Sequence, residues 1–190
     1  MIIKTKPKVV LDVLNVKQQI KRRSKAQEST LKMRAHLWPE LDEKKLWHRL
    51  NNDGFTTMPR TMPLLISLIN DLSKSVTGGK SVPAGKAYLV LWCRVFDEAM
   101  VKVTDEAVAA AEAGYTGERN VTTWREHMHV LKNLGFIDYK EGSAGPCQYV
   151  LLFNPYPVIK ARKDKIQPPT YTALYQRALD IGAADDFDGV

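Results

Sequence analysis

The feature that most constrains this chain is a pair of helix signals, each closed by a glycine, followed at once by two strand signals around a glycine-rich tip. Thr104 precedes Asp105, Glu106 and Ala107. A threonine N-cap with acids in the first turn predicts a helix over 104–113. Gly114 ends it, because glycine accepts the left-handed backbone that closes a helix. After the turn Tyr115–Glu118, a second helix is predicted over 119–134, stopped by Gly135 in the same way. Its Val121, Trp124, Met128 and Leu131 fall on one face, with Arg119, Thr122, Glu126, His129 and Asn133 opposite and Arg125 on the flank. Phe136–Lys140 reads as a strand, Glu141–Pro146 as a turn with its tip near Gly142–Gly145, and Gln148–Phe153 as a second strand.

The flanking sequence is simpler. Lys86–Met100 is apolar on a broad helical face and predicts a core helix; Met100–Val103 alternates briefly, as a short strand would. Residues 75–85 are rich in Gly, Ser and Pro and read as a loop. Leu41–Asn52 predicts one helix, and Leu64, Leu65, Leu68, Ile69 and Leu72 predict another after two prolines. The expected division is a basic arm at 1–35, a helical subdomain at 36–75, a central domain at 85–155 and a C-terminal tail at 156–190. Trp92, Val121, Trp124, Met128 and Leu131 are the expected buried cluster. Cys93, on an apolar run, is expected to be a buried free thiol, and the two cysteines to stay reduced and unpaired.

Charge narrows the function classes. The net charge is +7, which points to an anionic partner, nucleic acid first. Residues 1–49 hold 13 Lys/Arg against 5 Asp/Glu, whereas residues 101–154 hold 5 against 7. A second basic patch, 4 against 1, lies at 155–169, and 170–190 is acidic. No stretch approaches the roughly 18 apolar residues of a membrane span, and the first residues lack a secretion signal, so a cytoplasmic protein is expected.

The order of elements over about 85–155, and the phrase LKNLGFI above all, resembles the winged-helix family, a helix-turn-helix with a β-hairpin wing. The implied fold class is mainly α with a small β-hairpin, a winged helix-turn-helix with additional N-terminal helices. Residues 41–72 resemble a second helix-turn-helix, and two such units are similar in architecture to plasmid replication initiators; an ordinary helical hairpin is the competing reading. GFTTMPRTMPLL looks like a small protein group of bacterial plasmids and integrated elements. The resemblance implies binding to double-stranded DNA, as a transcription regulator or plasmid maintenance factor. It implies that Arg119, Asn120, Thr122, Thr123 and Arg125 face the major groove, with Lys140 and Ser143 of the wing on phosphate. Lys21, Arg22, Arg23 and Lys25 of the arm are the further candidates for phosphate. Glu118 and Glu126 depart from this pattern, since they repel phosphate. The alternative is a protein-interaction module that uses the wing or the acidic tail; monomer and homodimer both stay open.

Catalysis has no constellation behind it, and neither a cofactor nor a metal is expected. His127 and His129 are two apart and point to different helix faces. His36 and His48 have no matching ligand pattern. Thr77–Ser81 has the tail of a phosphate loop without its first glycine, so a linker explains it better. Trp38, Trp47, Trp92 and Trp124 could stack on bases, but Trp92 and Trp124 sit at core spacing.

Overall fold

The structure is a computed structural model that describes residues 25, 28–42, 46, 54–95 and 99–188. It divides into two compact units, Met1–Asp53 and Gly54–Val190. The division falls at Asp53–Gly54, within the stretch 36–75. Lys21, Arg22, Arg23, Trp47 and His48, and most of the helix predicted over 41–52, lie outside the described residues.

In the first unit residues 28–37 are helical. Lys32 Nζ reaches Glu28 Oε1 at 2.7 Å, one turn away on the exposed surface. Leu31, Met33, Leu37 and Trp38 are exposed.

The second unit opens with α1 (Met62–Ser73), whose Met62, Leu65, Leu68, Ile69 and Leu72 form a buried stripe. Thr61 precedes it, but its Oγ1 bonds Tyr156 Oη at 2.8 Å instead of capping the helix. α2 (Gly85–Arg94) crosses α1 at Gly85, where a Cβ would stand 2.7 Å from the Ile66 carbonyl oxygen. Only glycine permits that approach. Asn70 Oδ1 accepts from the Gly85 N–H at 2.9 Å and fixes the crossing. The core helix is shorter than its apolar run predicts: it ends at Arg94, and Val95 is already extended. Its turn places Cys93 in solvent, not in the core. Cys147 is the buried thiol, and burial pushes it up to about 11.

β1 (Met100–Lys102) follows, then α3 (Glu106–Glu112) and α4 (Asn120–Leu134). Asp105, not Thr104, caps α3: its Oδ1 accepts from the N–H groups of Ala107 at 2.8 Å and Val108 at 3.2 Å. Both residues are good caps, and the helix starts one residue later than read. Gly114 and Gly135 take the expected left-handed conformation, with φ of 74° and 81°. β2 (Ile137–Gly142) and β3 (Gly145–Leu152) form the hairpin, and its two-residue tip, Ser143–Ala144, is narrower than the expected Glu141–Pro146 turn. The sheet order is β1-β3-β2, all antiparallel, so β1 pairs with the later of the two hairpin strands.

Helices and sheet share one core. Trp124, Met128, Leu131, Leu134, Phe136, Tyr88 and Leu91 are fully buried, with the Tyr88 and Phe136 rings 5.5 Å apart. Trp92 and Val121, expected in the buried cluster, are half-buried at its margin.

The expected tail is folded. α5 (Pro155–Lys160), a 3-10 turn (Lys163–Lys165), α6 (Pro168–Ile181) and α7 (Asp185–Asp188) carry the chain back onto the core. Phe187 is 1% exposed, with its ring 4.6 Å from Tyr156, 5.6 Å from Tyr175 and 6.3 Å from Tyr171. The described residues are therefore mainly helical with a small three-stranded antiparallel sheet. No helix among them is long and apolar enough to cross a membrane.

Candidate nucleic-acid interface

α4 buries Trp124, His127, Met128, Val130, Leu131 and Leu134, which leaves a polar face to solvent. Arg119, Thr122, Arg125, Glu126, His129, Lys132 and Asn133 are exposed on it or at its start. α3 and the hairpin both pack against α4.

Two of its three cations are already matched. Arg125 donates through Nε at 2.9 Å and Nη2 at 2.6 Å to Glu106 Oε2, which raises the guanidinium further above its already high range. Glu106 is 4% exposed and its other oxygen, Oε1, has no hydrogen-bond partner among the described residues. Lys132 Nζ lies 2.7 Å from Asp138 Oδ1 and 4.5 Å from the Tyr139 ring centroid. That pairing raises Lys132 and holds Asp138 below the usual carboxylate range. Arg119 has no ion pair among the described residues.

The hairpin is tied to the same corner. Gly145 lies so close to Glu106 that a Cβ there would stand 2.5 Å from Oε2. Gln148 Oε1 accepts from the Ala144 N–H at 3.1 Å and braces the tip from inside. One acid thus touches α3, α4 and the hairpin.

The sequence candidates separate accordingly. Arg119, Thr122 and Arg125 come together on one face of α4. Lys140 and Ser143 are exposed on the hairpin. Asn120 is half-buried, and its Oδ1 accepts from the Val121 N–H at 2.7 Å, so its acceptor is turned into the helix start instead of outward. Thr123 is half-buried on the helix flank, away from Thr122. Lys25 is exposed and belongs to the first unit. Thirteen of the Lys/Arg and six of the Asp/Glu fall in Met1–Asp53, which carries the whole net +7; Gly54–Val190 balances 15 against 15.

Sequence reasoning missed Glu106 as a partner. It is 19 residues from Arg125, and no local spacing links them. It also missed His127, which is 5% exposed with Nδ1 2.5 Å from Tyr115 Oη. Burial lowers the His127 imidazole below its ordinary range and raises the Tyr115 hydroxyl. The basic patch read at 155–169 consists of Lys160, Arg162, Lys163 and Lys165. Arg162 Nη2 donates to the Asn133 carbonyl at 3.1 Å, at the end of α4, and Lys163 lies 4.8 Å from the Tyr171 ring centroid. Among the described residues no group of His, Cys, Asp and Glu could hold a metal ion. Comparison with family models, with curated proteins and with solved structures finds no match to this chain.

Proposed function

We propose that the second unit is a winged-helix domain that binds double-stranded DNA, with α4 in the major groove, in the service of transcription control or plasmid maintenance. One observation carries the reading. A strand precedes the helix pair and closes onto the second strand of the hairpin that follows it, which leaves a polar α4 face open beside a braced wing. That is the element order by which a wing and a recognition helix are presented together. Arg119 and Thr122 are the base-reading candidates, Arg125 is an oriented guanidinium at their side, and Lys140 and Ser143 are the wing contacts. Because the second unit is electrically balanced, affinity for phosphate comes from the first unit and from the local patch at 160–165.

A second reading has an observation of its own. Arg125 and Lys132 are neutralised internally, and Glu118 and Glu126 remain exposed, so the α4 face carries little positive potential. Such a face suits a protein partner, with this chain as an adaptor or inhibitor. The test selects a preferred site from a random duplex pool and compares wild type with Arg119→Ala. Under the DNA reading the variant loses about 1–3 kcal/mol at the selected site while non-specific binding barely changes. If no site is selected and a stoichiometric protein partner is captured instead, the second reading replaces the first.

A further inference from the structure

The solvent side of the sheet carries a row of residues of which the duplex reading uses only Lys140. The register Lys102↔Tyr149 and Lys140↔Tyr149 sets one tyrosine between two lysines, straight across the three strands. All three are exposed, Tyr149 at 38%. Strands about 4.8 Å apart put the two lysine Cα atoms about 10 Å from one another, with the ring between them. Neither lysine forms an ion pair among the described residues. The adjoining row, Met100, Leu151 and Asp138, adds two exposed apolar side chains, and its acid is held by Lys132. Glu141 follows Lys140 at the irregular step of β2. Phe153, the next alternate position along the chain, is 40% exposed.

The tyrosine is seated. Its ring lies against Gly142, where a Cβ would stand 2.8 Å from Tyr149 Cε2. Glycine therefore clears the space that holds the ring on the hairpin, and the ordering cost of a mobile aromatic is already met in the free protein.

An aromatic ring with flanking cations on an open sheet matches a flexible polyanion whose bases are free to stack. A duplex hides its base faces, whereas a single strand leaves them free to stack on Tyr149. We infer that the outer face of β1, β3 and β2 is a binding platform for single-stranded DNA, with a base on Tyr149 and backbone phosphates on Lys102 and Lys140. Met100, Leu151 and Phe153 extend the apolar floor to neighbouring bases. Stacking on Tyr149 and phosphate contacts to the two lysines need no 2′-hydroxyl, so DNA meets the site in full, and an oligouridylate arm separates it from RNA. Lys140 is common to both readings, whereas Tyr149 and Lys102 belong to the platform alone and test it apart from the duplex reading.

The experiment titrates a labelled oligothymidylate of about 12 nucleotides with the full chain, by fluorescence anisotropy across a salt series. Tyr149→Ala is expected to weaken the complex at least fivefold, Tyr149→Phe to stay within twofold, and Tyr149→Ala to leave duplex affinity unchanged. Lys102→Gln is expected to reduce the salt slope by about 0.7, the single-strand value for one lost phosphate contact. This variant carries the test should Tyr149→Ala lower the melting temperature. The platform is refuted if Tyr149→Ala binds thymidylate like wild type, or if single-strand and duplex affinities fall together. Equal losses from Ala and Phe, or an unchanged slope for Lys102→Gln, refute it too. A tighter Tyr149-dependent grip on oligouridylate would overturn the choice of DNA.

Discussion

Phe187 stands three residues from the last residue of the chain, in a sequence of acids, yet it fills a socket made by Tyr156, Tyr171 and Tyr175. Phe187→Ala tests whether that segment belongs to the fold. Emptying a fully buried phenylalanine site costs about 3–5 kcal/mol, the transfer term plus the cavity left behind. Two features hold the value to the lower end. The helix around Phe187 has only four residues and can shift, and Tyr171 and Tyr175 are half-buried and can lean into the space. About 3 kcal/mol is expected, or about 6–12 °C in melting temperature for a chain of this size. Calorimetry with urea titration reads both, and Asp185→Asn, an exposed neighbour, is expected to stay within about 0.5 kcal/mol of wild type. A Phe187→Ala protein that melts with the wild type would show that α7 does not dock and that the terminal segment is a tail after all.

Three further outcomes follow from the packing. Arg125→Ala strands the buried Glu106 carboxylate, and is expected to cost about 1–3 kcal/mol after allowance for the half-exposed arginine, with Arg125→Ala/Glu106→Gln recovering part of it in urea titrations. Gly85→Ala forces a Cβ into the Ile66 carbonyl and is expected to destabilise by roughly 1–3 kcal/mol; a neutral effect would mean that α1 and α2 cross elsewhere. His127 has its folded-state affinity for protons lowered by burial, so the unfolded chain binds the proton first. Stability from this group is present above its ordinary value of 6.5 and is lost as pH falls below it, and His127→Gln, measured by melting between pH 7.5 and 5, should flatten that part of the profile.

The middle of the chain was legible because its signals are local. Glycines at 114 and 135, the stripe of Trp124, Met128 and Leu131, and the alternation after Gln148 each act within a few residues of themselves. Tertiary facts were not legible. Glu106 looks like any first-turn acid until α4 brings Arg125 beside it. Phe187 is one apolar residue among acids, and only the tyrosines of α5 and α6 reveal its use. Cys93 was assigned to the core from an apolar average, whereas the helix phase turns it outward. The candidate site was half legible: exposure of Arg119, Thr122, Lys140 and Ser143 agrees with the pattern, while Asn120 and Thr123 are drawn toward the helix itself.

The pairing of β1 with β3 sets a timetable for the growing chain. Met100 meets Leu151, a partner synthesised 51 residues later, while β2 and β3 meet across a two-residue tip. The hairpin forms as soon as it is made; the third strand waits for a long loop to close and for its entropy to be offset. Until then the helical core of Leu65, Leu68, Tyr88, Leu91 and Trp124 lacks Val150 and Leu152 of β3, so the nascent protein exposes the surface most prone to stick to other chains. A ribosome that stalls before Gly145 therefore releases no smaller domain. It leaves α1 to α4 without the sheet that completes their core, a product for chaperones and proteases.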